Sequence, residues 1–112
     1  MIDEAAFRSA SDITLERLKQ SLIVAEETSG LFEFEDNNGV MNVLFEDGSS
    51  KFVITPNTPV RQIWISAEST SFKLDWNETA AAFVLPKTGE SLLPLVERLL
   101  RQHLGDATIT LD

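Results

Sequence analysis

From about Asp3 to Thr28 the apolar positions recur at helical spacing. Phe7, Thr14, Leu15, Leu18, Leu22 and Ala25 fall on one face, with Asp12, Glu16, Lys19, Ile23 and Glu27 roughly opposite. This pattern predicts a long amphipathic helix with a mainly acidic back, ended by Ser29-Gly30. The period then shortens to two. In Phe32-Glu33-Phe34-Glu35 the phenylalanines point one way and the glutamates the other. Asn37-Asn38-Gly39 signals a tight turn, and Val40 to Phe45 reads as the next strand. A turn at Glu46-Asp47-Gly48-Ser49 leads to a third strand, Lys51 to Thr55, and Pro56 and Pro59 bracket a short loop. Phe72 to Trp76 and Ala81 to Leu85 read as further strands. Ser91 is the expected N-cap of a second helix, with Pro94 in its first turn, Leu92, Val96, Leu99 and Leu100 on its apolar face, and Gly105 as its stop. A short extended piece, Thr108 to Leu111, is expected last.

The stretch PVRQIWIS, residues 59–66, reads as the fourth strand of this series. Alternation puts Arg61, Ile63 and Ile65 on one face and Gln62, Trp64 and Ser66 on the other. The isoleucines mark the core side, so the tryptophan lies on the opposite face. The order helix, antiparallel meander of five or six strands, helix implies an α+β two-layer sandwich, with both helices on one face of the sheet. The other sheet face meets water, and Trp64 belongs to that face.

At 112 residues the chain suits a single domain, 1–112, and 43% hydrophobic with 24% charged residues describes an ordinary globular protein. With no cysteine, disulfides and thiolate chemistry are excluded. No signal or transit peptide is visible at MIDEAAFRSA, and no apolar run approaches the ~20 residues of a membrane span. Charge is more informative. Eighteen acids against nine bases leave −9, and residues 1–36 hold nine acids and three bases, a net −6. Such a field repels nucleic acid and anionic lipid, and attracts cations and basic protein surfaces.

Three groups of residues could carry chemistry. Carboxylates on the helix back and first strand could hold a metal through oxygen ligands, in exposed and weak sites, or dock a basic partner; a merely solvated face is the plain alternative. Trp64 with Gln62 and Ser66 could form an interaction patch, unless cross-strand neighbours cover it. His103, the only histidine, sits in the last helical turn, where the helix dipole favours it, and has no nucleophile beside it in sequence. Gly30, Gly39, Gly48, Gly89 and Gly105 are isolated, so there is no phosphate-binding loop. Nothing here points to an enzyme.

The segments DEAAF, TLERL, NNGVMNVLF, FVITPNTPVRQIWIS, LDW and TGESLLPLVERLL together resemble the frataxin family, in its bacterial, CyaY-like branch. The most specific part is Pro59, Gln62, Ile63, Trp64 and Ile65, followed by Asp75-Trp76. The resemblance implies a cytoplasmic protein, or a mitochondrial-matrix one if processed. It would be a monomer that binds iron (Fe2+/Fe3+) weakly and regulates iron–sulfur cluster assembly on a cysteine desulfurase and scaffold protein, without being the catalyst. Carried over by position, it implies metal ligands at Asp3, Glu4, Asp12, Glu16, Glu27, Glu33 and Glu35. It implies partner contacts at Gln62, Trp64, Asp12, Glu16, Glu33 and Lys73. Positions often acidic in the family are Arg8, Gln20, Ile23 and Val24 here, which thins the ridge. The rival readings are an acidic module or inhibitor that fills a basic groove with no iron role, and an independent carboxylate hydrolase or ferroxidase.

Overall fold

The computed structural model describes residues 2–46, 48 and 51–112. Its elements are α1 (Glu4–Ser29), β1 (Phe32–Asn37), β2 (Val40–Phe45), β3 (Lys51–Asn57), β4 (Gln62–Ala67), β5 (Thr70–Asn77), β6 (Ala82–Val84) and α2 (Leu92–Leu104). The six strands form one antiparallel sheet in sequence order, β1 to β6. Both helices cover the same face: Phe7, Leu18 and Leu22 of α1 and Leu95, Val96 and Leu100 of α2 share a core with Val43, Phe52, Ile54, Ile63, Ile65, Leu74 and Phe83 of the sheet. This is the expected α+β two-layer sandwich.

Local chemistry sets the element ends. The Asp3 carboxylate caps α1 by accepting from the Ala6 N–H at 2.8 Å, and Gly30 closes the helix in the left-handed region at φ 67°. Asn38 (φ 53°) and Gly39 (φ 86°) form the two-residue β1–β2 turn between the paired Asn37 and Val40. One donor of the β1 edge is occupied: the half-buried Glu26 of α1 accepts the Phe34 N–H at 2.7 Å, so that donor is unavailable to another chain. The turn expected at Glu46-Asp47-Gly48-Ser49 lies partly outside the described residues, at Asp47 and Ser49; Gly48 donates its N–H to the Phe45 carbonyl at 3.0 Å.

Four expectations differ from the structure. Pro56, read as the start of a loop after Thr55, lies inside β3 and pairs with Ile63. The strand read over residues 59–66 begins only at Gln62, because Thr58–Val60 forms a 3-10 turn and Arg61 adopts φ 57°. Pro59 has no N–H for a ladder, and the turn aims Arg61 at the Thr58 carbonyl instead of the core. Ser91 is the N-cap of α2 by position, but its side chain makes no cap bond; its backbone bridges Val84 and accepts from Leu95 N–H at 3.1 Å. Residues Thr108 to Leu111 form no strand. They make a strap across the helices, with Ile109 and Leu111 buried. Arg101 Nε donates to the Ile109 carbonyl at 2.7 Å, Glu97 accepts the Leu111 N–H at 2.9 Å, and Ser21 Oγ donates to the Asp112 carbonyl at 2.6 Å. Helix side chains satisfy this backbone where a neighbouring strand would otherwise do so.

The β4–β5 turn is strained. Glu68 (φ 51°) and Ser69 (φ 65°) are both non-glycine residues in the left-handed region. Glu68 has a compensating contact, His103 Nδ1 at 3.0 Å, whereas Ser69 has none of that kind among the described residues. Ser69→Gly is therefore expected to stabilise the protein by about 0.5–1 kcal/mol in urea unfolding, with the m-value unchanged.

Candidate docking site: an acidic ridge and an outward sheet face

The carboxylates expected to form a site fall into separate groups. Asp3 is occupied as the α1 cap, and Glu4 pairs with Arg8 at 3.2 Å, both groups more than half exposed. Glu27 lies near the other end of α1, about 35 Å from Glu4 at ~1.5 Å per helical residue. Asp12 and Glu16, one turn apart, line a depression of about 260 Å³ with Lys19 and Asp36, and Glu16 also accepts from Gln20 at 2.7 Å. Lys19 reaches across to Asp36 at 3.2 Å and fastens the ridge to the β1–β2 hairpin. Glu33 and Glu35 alternate with Phe32 and Phe34, so they stand on the outward face of β1, opposite Leu44 and Asn42 of β2.

This arrangement bears directly on a metal. Iron held through oxygen needs several donors converging within bonding distance. Among the described residues no three His, Asp or Glu side chains converge in that way. The described carboxylates therefore do not form a chelating centre. They form a spread carboxylate surface that raises local cation concentration without fixing a coordination geometry.

The outward sheet face is more ordered. Trp64 lies between Thr55 of β3 and Lys73 of β5 and is half-buried. Its indole Nε1–H donates to Gln62 Oε1 at 2.8 Å, and Gln62 Nε2 donates in turn to Asp75 Oδ1 at 2.9 Å. Lys73 Nζ lies 4.9 Å from the indole centroid, a cation–π distance. The tryptophan is thus neither fully free nor covered. Its polar edge is tied down, its rotamer is held by neighbours, and part of its face meets solvent. Such a preorganised aromatic binds with little entropic cost. Glu33 and Glu35 share this face, with β1 about 14 Å from β4 at ~4.8 Å per strand.

Two contributors, Asp36 and Asp75, are not marked for these roles by the sequence. Alternation places Asp75 outward beside Lys73, but its meeting with Gln62 depends on the β4–β5 register, which a glycine-free turn does not advertise. His103 serves packing: its ring lies 4.0 Å from Phe45, tilted by 32°, and its Nδ1 meets Glu68. Beyond the ridge, Arg98 binds Glu90 through two contacts, 2.7 and 2.9 Å, and holds that carboxyl below its ordinary range. This pair fastens the entry to α2. Among the described residues no helix is long and apolar enough to cross a membrane.

A family model for the frataxin-like domain matches residues 1–106. The chain is 29% identical over 104 residues to the iron-sulfur cluster assembly protein CyaY of Pseudomonas fluorescens, covering 93% of this chain and 91% of that protein. It is 30% identical over 106 residues to the protein of the same name from Azotobacter vinelandii, covering 94% and 92%. Among solved structures, the frataxin of Psychromonas ingrahamii superposes with a TM-score of 0.76 at 17% identity, covering 99% of this chain and 97% of that one. The chain belongs to the frataxin-like, CyaY family.

Proposed function

We propose that this protein is a non-enzymatic regulator of iron–sulfur cluster assembly that docks on a cysteine desulfurase–scaffold complex. The ridge of Asp12, Glu16 and Glu33 attracts a basic surface of the complex. The Trp64–Gln62–Asp75 patch, flanked by Lys73, supplies the oriented contact. The observation that carries the reading is this patch: a half-buried tryptophan whose polar edge is already bonded, on the sheet face that no helix covers. The names of the relatives support the process, and the field supports a basic partner. Bacterial cytoplasm is the compartment that fits these relatives.

Iron belongs to this reading as a weakly held effector. Fe2+ or Fe3+ would gather along Asp12, Glu16, Glu33, Glu35 and Asp36, with Asp3, Glu4 and Glu27 as outlying carboxylates. With oxygen donors that do not converge, the ridge should discriminate poorly between Fe(II) and Mn(II). An Fe(II) titration followed by amide NMR is expected to broaden signals of residues 3–36 while leaving Gln62 to Lys73 sharp, and Mn(II) is expected to broaden the same set. Sharp signals throughout would remove iron from the account and favour an acidic module that fills a basic groove.

A further inference from the structure

A second surface lies on the flank of α1 that faces the strap. Ile13, Arg17, Gln20 and Val24 follow one another at steps of four, three and four residues and so form one stripe. Ile13 (69% exposed) and Val24 (61%) are the most exposed large hydrophobic residues among those described. Three depressions of about 530, 400 and 440 Å³ adjoin this stripe. The first two share Val24, Thr110 and Asp112, and the last two share Arg17 and Asp112, so they adjoin in a shallow groove along this flank of α1, walled by the strap beside the first two and by residues 81–83 and 91–94 beside the third. Its apolar lining includes Ala25, Ile109 and Leu111.

The charges around this groove indicate its occupant. Glu16 and Glu27 stand beside Gln20 and Val24 on one border, and Asp106 and Asp112 on the other, with Arg17 the only base in the lining. Acidic borders repel phosphate and anionic lipid, and a net charge of −9 on each copy opposes self-association. Ile13 and Val24 are eleven residues apart, about 16 Å or three helical turns. We propose that this groove docks an amphipathic helix of a partner protein, with an apolar stripe of about three turns bordered by lysine or arginine. The site uses a flank of α1 distinct from the sheet face, so it stands whether or not the cluster-assembly reading does.

The test is an amide NMR titration of the full chain with two synthetic peptides of about 14 residues, composed only of leucine and lysine. In one the leucines recur at i, i+4, i+7 and i+11; in the other they are scattered round the helix. The amphipathic peptide is expected to bind at least about tenfold more tightly, shifting Ile13, Arg17, Val24 and Thr110. The double variant Ile13→Ser, Val24→Ser, altered only at exposed positions, is expected to lose that advantage while its spectrum stays dispersed. Equal affinities for the two peptides, with shifts centred on Asp12, Glu16 and Glu33, would overturn the proposal in favour of field attraction alone. Groove shifts that grow with protein concentration in the absence of peptide would overturn it in favour of a second copy. Tighter binding of the scattered peptide would overturn the helical form of the occupant.

Discussion

Replacing Asp12, Glu16 and Glu33 together by lysine is expected to weaken binding to the cognate cysteine desulfurase about 30- to 100-fold, with the fold preserved. Each replacement changes the local charge by two, so a surface that attracted a basic partner comes to repel it. Rim charges act mainly on the association rate, and the loss should shrink as salt shortens the Debye length from ~10 Å at 0.1 M. Stability should change by less than about 1 kcal/mol. All three side chains are exposed, and the hydrogen bond that Gln20 donates to Glu16 is worth only a few tenths of a kcal/mol. Surface-immobilised desulfurase with the variant in solution, measured at two salt concentrations, checks both the magnitude and its salt dependence. Unaltered binding would reduce the ridge to a solvated face.

Phe7→Ala is expected to cost about 3–5 kcal/mol, a large share of the roughly 5–15 kcal/mol that holds a domain of this size together. Phe7 is fully buried and meets Phe83 edge-on at 5.6 Å, and Phe83 meets Trp76 at 5.2 Å. This aromatic chain ties the first turn of α1 to the last two strands, which are remote in sequence. Removing the ring leaves a cavity bounded by sheet and helix that cannot collapse. Urea unfolding should show the midpoint fall with little change in m. Ile13→Ala, on the same helix but 69% exposed, should stay within about 0.5 kcal/mol. The contrast separates burial from mere hydrophobicity.

What the chain reveals by inspection follows the strength of local periodicity. The α1 pattern of Phe7, Leu18, Leu22 and Ala25 and the alternation of Phe32 to Glu35 are long or regular enough to assign elements and faces. The same alternation correctly puts Trp64 on the uncovered sheet face. Positions where two rules compete are less legible. Pro59 and Arg61 lie in a run that looks strand-like, yet a proline-led 3-10 turn takes them out of the ladder. Residues 108–111 look like a strand, yet their backbone partners are Arg101, Glu97 and Ser21, side chains that no local pattern could nominate. The extent of Trp64 burial is equally hidden, because it depends on Gln62 reaching Asp75 across a register set by Glu68 and Ser69. Local physics indicates which residues share a face and, by helical rise, how far apart the α1 carboxylates lie; that Lys19 ties the ridge to Asp36 of the hairpin emerges only in three dimensions.

Whether the Trp64 patch is a contact surface is decided by the affinity of Trp64→Ala for the desulfurase–scaffold complex. Removing a half-buried ring, its bond to Gln62 and its packing on Lys73 should cost about 1–2 kcal/mol of stability, so the variant is still folded at 25 °C. Under those conditions binding is expected to be at least about tenfold weaker, a hot-spot effect of more than 1 kcal/mol. Binding equal to that of the unaltered protein, by a variant shown to be folded, would contradict it.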